Sequence, residues 1–279
     1  MSAGANTLVY LHGFRSSPAS IKATRLSECV AALPVTARPQ LHVPALADRP
    51  AVAIAAVAQW IDRHANPAAL TFVGSSLGGY YATHLAERYD ARAVMINPAV
   101  RPYDDLQSWR GVQTNLYTGA EFEVTNAHFD ELRALRVARI TRPERYFLLV
   151  ETGDEVLDYR EAVAFYGGAW QYVRGGGDHS FTDFATQLPA ILRFAGVAGL
   201  PSAVGLPQHA DSVEGRQRAA PLRGGVPSAA GPPQRAGPLG GRRREAPLRG
   251  GVPSAAGPPQ RAGPLGGRRR EAPLRGEHK

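Results

Sequence analysis

The chain has 279 residues, 32 Lys or Arg against 24 Asp or Glu, and 44% hydrophobic residues, which suffices for one sizeable folded domain. Its charge is uneven, because residues 1–200 carry a net charge near −1 whereas residues 201–279 carry +9 and contain no aromatic residue. The single Cys excludes an intrachain disulfide and a multi-cysteine zinc site. Since the start also resembles neither a signal peptide nor a membrane span, we expect a soluble cytoplasmic protein.

Short apolar runs of strand length alternate with longer segments of helical periodicity over residues 1–200. We expect strands at 7–11, 40–43, 70–73, 91–96, 145–150 and 170–173, and helices at 17–33, 48–64, 77–89, 158–166 and 184–194. The first helix is expected to begin at a Ser-Pro pair, and Asp48 to cap the second. This alternation predicts a mostly parallel sheet with helices on both faces and chemistry beyond the carboxyl ends of the strands.

The third predicted strand runs into Gly74-Ser75-Ser76-Leu77-Gly78, which matches the GxSxG pattern of a nucleophile elbow. The nucleophile of such an elbow has a strained backbone, so the residues two before and two after it must be very small. An ordinary glycine-rich turn also fits the motif. Its position between a predicted strand and a predicted helix nevertheless favours the elbow, with Ser76 as the nucleophile.

A serine nucleophile in such a sheet needs a carboxylate and a histidine, which follow it in that chain order. His179 comes after a glycine-rich stretch that follows the last predicted strand, and it is the predicted base. Asp154 follows the glycine turn at the end of the fifth predicted strand, and it is the predicted acid. Glu151, Glu155 and Asp158 are nearby competitors, of which Asp158 fits the N-cap of the next helix.

A serine mechanism also requires two backbone N–H groups to hold the oxyanion. We expect one from Leu77, directly after the nucleophile, and one from Phe14 in the loop after the first strand. His12 is interpreted as bracing that loop. Arg15 is interpreted as a solvated surface residue in preference to a residue that meets an anionic group of the substrate. The remaining histidines lack metal-ligand spacing, so neither a metal nor a cofactor is expected.

An insertion at about 102–143 separates the fourth and fifth predicted strands, the usual place for a small cap in such folds. Two uses of its apolar residues are equally compatible with the sequence: they roof an acyl pocket, or they only pack the insertion onto the sheet. The residues concerned are Leu106, Trp109, Leu116, Tyr117, Phe122, Phe129, Leu132 and Leu135.

Four motifs resemble the YqiA-type esterases of bacteria, and the resemblance runs over essentially all of residues 6–196. They are YLHGFRSSP at 10–18, GSSLGGYYAT at 74–83, NPAVRP at 97–102 and TGDEVLDYR at 152–160. The resemblance implies a small α/β-hydrolase that acts on carboxylic esters, including acyl thioesters, through Ser76, Asp154 and His179. The family often has Asn directly before the histidine, where this chain has Asp178.

Residues 201–279 form a separate Pro-, Gly- and Arg-rich tail. Its segment 220–245 recurs unchanged as 246–271, and a partial third copy occupies 272–276. This composition predicts a disordered chain, and the perfect identity indicates a recent duplication rather than a stacked repeat. A functionless extension is the favoured interpretation, and any contact of its Arg clusters with nucleic acid is expected to be weak and salt-sensitive.

The leading hypothesis is therefore a serine esterase that works through an acyl-enzyme without a cofactor. An acyl-CoA thioesterase with the same triad is the main alternative, and a binding protein that acts through its basic tail is another. A peptidase or a C–C hydrolase also stays open, because a fold does not fix a substrate. A small acyl substrate and no membrane partner are expected, and the sequence does not indicate an oligomeric state.

Overall fold

The computed structural model describes residues 6–198 and residue 200. Its strands are β1 (Thr7–Leu11), β2 (Gln40–His42), β3 (Leu70–Ser75), β4 (Arg92–Ile96), β5 (Gly111–Thr114), β6 (Glu121–Val124), β7 (Tyr146–Glu151) and β8 (Trp170–Arg174). Its α-helices are α1 (Ile21–Ala31), α2 (Pro50–His64), α3 (Leu77–Tyr89), α4 (Pro102–Asp105), α5 (Asn126–Ala134), α6 (Tyr159–Phe165) and α7 (Phe184–Phe194). The predicted disordered tail and its repeats lie outside the described residues.

Six strands form a central sheet in the order β2-β1-β3-β4-β7-β8, and every neighbouring pair is parallel. The central strands are almost entirely buried and mostly apolar because helices cover both faces of the sheet. In β1, for example, Leu8 and Tyr10 pack with α1 and α7, whereas Val9 and Leu11 pack with α2 and α3. The predicted α/β architecture is confirmed, with the carboxyl ends of the strands along one edge.

The start of two helices differs from the prediction. The first helix begins at Ile21 rather than at residue 17, because Ser17 closes a turn in which its carbonyl accepts from Ser20 N–H at 3.0 Å. The second helix is not capped by Asp48: it begins at Pro50, with the extended residue Arg49 at the N-cap. Proline suits the first helical position and disfavours a helical conformation in the residue before it, so the boundary moves forward.

The insertion at 102–143 contains elements that the sequence did not predict individually. They are the short helix α4, the helix α5, and a separate antiparallel hairpin of β5 and β6. The hairpin adds no strand to the main sheet, so the parallel order is unbroken on either side of the insertion. No helix in the described part of the chain is long and apolar enough to cross a membrane, and the expected cytoplasmic location stays a prediction.

The turn between β3 and α3 requires glycine at two positions. A Cβ atom on Gly74 would lie 2.1 Å from the carbonyl oxygen of Gly78, and one on Gly78 would lie 2.0 Å from the carbonyl oxygen of Leu11. Both contacts are with backbone atoms, which cannot rotate away as a side chain can. The helix α3 therefore starts at van der Waals distance from the ends of β3 and β1.

This packing predicts that Gly78→Ala is strongly destabilising. The added methyl group must push α3 away from β1, and we expect the free energy of unfolding to fall by at least about 3 kcal/mol. Urea denaturation measures this change. Gly175→Ala is the matched control, because no described residue beyond its two chain neighbours has an atom within 4 Å of a Cβ at that position. Equal stability of the two variants would contradict the prediction.

Candidate active site

Ser76 lies at the tip of the turn between β3 and α3 in a strained backbone conformation. Its φ is 55° and its ψ is −122°, a region that costs a non-glycine residue about 1–3 kcal/mol. Three backbone hydrogen bonds hold it there. Ser76 N–H donates to Ile96 O at 3.0 Å, and Ser76 O accepts from Gly79 N–H at 2.9 Å and from Ala99 N–H at 3.2 Å. The side chain consequently projects above the carboxyl edge of the sheet.

The structure brings the three predicted side chains, Ser76, His179 and Asp154, into one hydrogen-bonded chain. His179 Nε2 lies 3.0 Å from Ser76 Oγ, and His179 Nδ1 lies 2.9 and 3.0 Å from the two carboxylate oxygens of Asp154. With the proton on Nδ1, the ring donates to the carboxylate and accepts from the serine hydroxyl. This arrangement can remove a proton from the hydroxyl as the hydroxyl attacks an electrophile.

The Asp154 carboxylate is fixed by its own loop, and its side chain is only 2% exposed. One of its oxygens accepts from Val156 N–H and Leu157 N–H, both at 2.9 Å. These bonds orient the carboxylate towards His179 and stabilise its negative charge.

The competing carboxylates have other partners. Glu151 is fully buried, where it accepts from the Arg174 guanidinium at 2.6 Å and from Asp178 N–H at 2.9 Å. Glu155 accepts from His179 N–H at 3.0 Å, and Asp158 caps α6 by accepting from Arg160 N–H at 3.0 Å, as expected for an N-cap. Only Asp154 lies against the imidazole.

Side chains hold the loop that carries His179. They form hydrogen bonds with the backbone N–H and carbonyl groups of Asp178 and His179 and with the carbonyl of Ser180, but not with Ser180 N–H. Glu151 and Glu155 accept from the two N–H groups described above. Asn97 Nδ2 donates to Asp178 O at 2.9 Å and to His179 O at 3.2 Å, and Lys22 Nζ donates to Ser180 O. The imidazole therefore has a fixed position before any ligand arrives.

Lys22 is one residue of this network that sequence reasoning missed, and Asn97 is the other. It follows β4 directly, is 2% exposed and has a φ of 39°, and its Oδ1 accepts from Glu151 N–H at 3.0 Å. The signal was present, because a polar side chain at the carboxyl end of a buried central strand is placed where the chemistry of a parallel sheet occurs.

The predicted oxyanion donors come from the two segments next to Ser76, the start of α3 and the loop after β1. Leu77 N–H is the first N–H of α3 and so has no acceptor within its helix, and Phe14 N–H is in the loop after β1. Neither forms a hydrogen bond with another described residue. Gly13 brings this loop so close to Ser76 that a Cβ on Gly13 would lie 3.2 Å from Ser76 Cβ.

His12 braces the loop after β1, as its sequence position indicated. Its Nδ1 lies 3.1 Å from Gly13 O, and its Nε2 accepts from Leu46 N–H at 3.2 Å. This pattern requires the neutral imidazole with the proton on Nδ1. Burial, the largest influence, lowers the pKa of His12 below its ordinary value and favours that neutral form.

The interpretation of Arg15 as a solvated surface residue is wrong. Its Nε donates to Thr114 O at 2.9 Å, its guanidinium lies 5.1 Å from the centre of the Trp109 ring, and its carbonyl accepts from Leu116 N–H at 2.9 Å. Asn115 Nδ2 adds a bond to Ser16 O at 2.8 Å. The β5–β6 hairpin is thus fastened to the loop that carries Phe14 N–H.

Two cavities flank that loop, and both are lined by Gly13, Phe14 and Ser16. The hairpin cavity, of about 310 Å³, is also lined by His12, Arg15, Leu46, Ala47, Asp48, Leu77, Tyr81, Asn115, Ala120, Glu121 and Phe122. The nucleophile cavity, of about 540 Å³, is also lined by Tyr10, Ser20, Ile21, Lys22, Arg25, Ser75, Ser76, Leu116, Tyr117, His179, Ser180, Phe181, Thr182, Phe184 and Ala185. Of these two cavities, the nucleophile cavity is the one lined by Ser76 and His179.

Some apolar residues of the insertion line the two cavities and others pack in the core, and a role in roofing an acyl pocket stays a prediction. Leu116 and Tyr117 line the nucleophile cavity and Phe122 lines the hairpin cavity, whereas Phe129 and Leu132 are buried. The Phe14 ring meets the rings of Trp109 and Phe122 edge to face, with centroids 6.0 and 5.8 Å apart. Within the described residues, no group of three or more His, Cys, Asp or Glu side chains is arranged to hold a metal ion.

A comparison with protein families finds one match over most of this region. The sequence pattern of the uncharacterised protein family UPF0227 matches residues 7–196. This range begins at β1 and ends just after α7, so it includes every residue of the hydrogen-bonded chain described above.

Solved structures with the same fold share little sequence with this chain. The esterase domain of a Rhodothermus marinus protein is 16% identical with a TM-score of 0.52, and the match covers 70% of this chain and 88% of that one. Mouse alpha/beta hydrolase domain-containing protein 10 is 19% identical with a TM-score of 0.51, covering 66% and 87% of the two chains. Est1E from Butyrivibrio proteoclasticus is 12% identical with a TM-score of 0.51, covering 68% and 86%. These similarities confirm the α/β-hydrolase fold.

The neutral state of His12 predicts a pH dependence of stability. Because the folded-state pKa lies below the ordinary value of 6.5, the unfolded chain binds more protons than the folded protein at and below that pH. The contribution of His12 is therefore complete above pH 6.5 and is lost as the pH falls from there. In His12→Gln, whose amide oxygen can still accept from Leu46 N–H, the slope of stability against pH should decrease by up to about 1.4 kcal/mol per pH unit.

Urea denaturation of both proteins between pH 4.5 and pH 8 measures these slopes. At pH 8, His12 is neutral in both the folded and the unfolded state. The difference in the free energy of unfolding between the two proteins at that pH therefore measures the change in hydrogen bonding and packing alone. Identical slopes of the free energy of unfolding against pH in the two proteins below pH 6.5 would contradict the prediction, because protonation of His12 would then not account for the loss of stability.

Proposed function

Because this chain belongs to the uncharacterised protein family UPF0227, the YqiA-type family that its sequence resembles, we propose that it is a serine esterase that hydrolyses carboxylic esters. The observation that carries the proposal is the hydrogen-bonded chain from Ser76 through His179 to Asp154, with a separation of 3.0 Å at the serine and 2.9 Å at the nearer carboxylate oxygen. These are the three groups that nucleophilic catalysis by serine requires, in a geometry suited to proton transfer.

In the first half of the proposed reaction, Ser76 Oγ attacks the carbonyl carbon of the ester while His179 Nε2 accepts the hydroxyl proton. The carbonyl oxygen becomes an oxyanion that accepts hydrogen bonds from Leu77 N–H and Phe14 N–H. The positive end of α3, which begins at Leu77, adds favourable electrostatics. The tetrahedral species then collapses as the protonated His179 donates its Nε2 proton to the departing alcohol, which leaves an acyl group on Ser76.

In the second half, water replaces the alcohol. His179 Nε2 removes a proton from the water, the resulting hydroxide attacks the acyl carbon, and Ser76 recovers its proton as the carboxylic acid leaves. Asp154 keeps the proton of the neutral ring on Nδ1 and stabilises the imidazolium in both halves. The loop held by Asn97, Glu151 and Glu155 supports this role, because a fixed imidazole need not be reordered at each step.

The proposal predicts that ester hydrolysis depends on Ser76. We expect Ser76→Ala to lower kcat/KM for p-nitrophenyl esters by at least about 10⁴-fold, since the acyl-enzyme can no longer form. A series from acetate to palmitate, followed by release of p-nitrophenolate, also gives the preferred acyl length, and acyl-CoA thioesters tested in parallel measure the preference between oxygen and sulfur leaving groups.

A fluorophosphonate probe provides an independent readout, because it should label the wild type at Ser76 and leave Ser76→Ala unlabelled. Circular dichroism and urea denaturation of the variant check that its fold is retained. A folded Ser76→Ala that hydrolyses esters at the rate of the wild type would refute the mechanism.

A second prediction identifies the carboxylate. Asp154→Asn should lower kcat by about 10⁴-fold, because an amide at this position favours the wrong imidazole tautomer and cannot stabilise the imidazolium. Asp158→Asn makes the same chemical change four residues away and preserves an N-cap, since Asn and Asp cap helices equally well. We expect that control to retain activity within about twofold. Comparable losses in the two variants would contradict the assignment.

A further inference from the structure

The nucleophile cavity has an unbalanced set of charged residues. Lys22 and Arg25 line it beside Ser76 and His179, and none of the described residues that line it is Asp or Glu. The hairpin cavity on the other side of Phe14 differs, because Asp48 and Glu121 line it together with Arg15. The side of the site that contains the serine hydroxyl is therefore the positively charged side.

The two cations belong to the first turns of α1, which begins at the wall of the nucleophile cavity. Lys22 and Arg25 are three residues apart, a spacing that places both side chains on one face of the helix. The first turn contains no acidic residue, although acidic residues usually stabilise a helix start. The partial positive charge of the helix N-terminus consequently adds to the two side-chain charges.

These cations retain capacity to bind an anion. The Lys22 ammonium has three N–H donors, of which one binds Ser180 O. Burial lowers the pKa of Lys22, whereas the negative charges of Asp178, Glu151 and Asp154 raise it. None of these three carboxylates lines the nucleophile cavity. Arg25 forms an ion pair with Glu28 at 3.2 Å, but both side chains are largely exposed, so this pair competes weakly with a ligand.

We propose that the substrate is an ester bearing a negatively charged group, a carboxylate or a phosphate, which binds at Lys22 and Arg25 while the ester carbon lies at Ser76. This inference rests on the proposed esterase function and specifies the class of substrate. The rest of the substrate is apolar, because the cavity wall also includes Leu116 and Tyr117, which are 70% and 46% exposed. An amphiphilic ester with one anionic end matches both parts of the wall.

The negative charge can belong to the acyl part or to the alcohol part of the ester. The departing alcohol must lie beside His179 Nε2, which donates a proton to it, and Ser180 continues the cavity wall from there to Lys22 through their hydrogen bond. An acyl chain that enters the same cavity also reaches the start of α1. Both arrangements use the same recognition chemistry, so the experiment includes one pair of esters for each.

Two matched pairs of esters test the proposal. The acyl pair is p-nitrophenyl hemiglutarate against p-nitrophenyl valerate, and the alcohol pair is p-acetoxybenzoate against p-acetoxybenzamide. In at least one pair, we expect kcat/KM of the wild type to be at least about tenfold higher for the anionic ester, the effect of one hydrogen bond to a charged group. In Lys22→Met and in Lys22→Met/Arg25→Met the ratio should fall towards one.

The readout is the ratio of kcat/KM for the anionic ester to kcat/KM for the neutral ester of the same pair. Lys22 also holds the loop of His179, so its loss can lower the rates for both esters together without changing this ratio. Arg25→Met alone, which removes the ion pair with Glu28 and no hydrogen bond to the described residues of that loop, should lower the ratio as well. A preference in the acyl pair places the charge on the acid, and one in the alcohol pair places it on the leaving group. A wild type that hydrolyses the neutral esters without preferring either anion, or a ratio that survives in the double variant, overturns the proposal but leaves the esterase function intact.

Binding to the Ser76→Ala variant separates recognition from turnover. Isothermal titration with the anionic and neutral members of each pair should show tighter binding of an anionic ester, and Ser76→Ala/Lys22→Met should lose the difference. If the wild type hydrolyses no ester but the anionic esters still bind more tightly than the neutral ones, the proposed esterase function is refuted and the anion site is supported. If the difference is absent, the anion site is overturned.

Discussion

The close approach of α3 to the ends of β3 and β1 is the constraint on which the rest of the site depends. Gly74 and Gly78 allow this approach, since a methyl group at either position would overlap a backbone carbonyl. The turn between them leaves Ser76 with a positive φ and its hydroxyl above the sheet. The same approach brings the start of α3 beside the loop after β1, so that Leu77 N–H and Phe14 N–H lie near one serine although 62 residues separate them along the chain.

The position of His179 has a different physical basis, because its loop contains glycines and has no regular structure to fix it. Polar side chains from separate parts of the sheet perform that role: the buried Asn97 after β4, the buried Glu151 in β7 and the exposed Glu155 after β7. A buried carboxylate such as Glu151 is tolerable only when it is paired and hydrogen-bonded, which Arg174 and Asp178 N–H provide. The network couples the candidate base to the packing of the central strands.

The parallel sheet and the three polar side chains at its edge were predictable because each has a local signal. Buried strands are apolar runs, and Ser76, Asp154 and His179 each follow a strand within a glycine-rich turn. The β5–β6 hairpin was not predictable in the same way, because its four-residue strands are mostly exposed and give little apolar periodicity. Arg15 was misinterpreted because its partner, Thr114 O, lies 99 residues further along the chain. The cavities were not predictable from the sequence for the same reason, because their walls combine segments that lie far apart along the chain and meet only in the complete fold.

The long separations within the hydrogen-bonded chain have a consequence for biosynthesis. Ser76 and His179 are 103 residues apart, and β8, the edge strand that precedes the histidine loop, is the last strand of the sheet to leave the ribosome. A nascent chain can complete the turn around the serine while its hydroxyl still lacks a partner that accepts its proton. In the proposed mechanism, Ser76 therefore lacks its base until β8 and the histidine loop have been synthesised and have joined the sheet. In that mechanism, reactivity of Ser76 requires β8 to have joined the sheet.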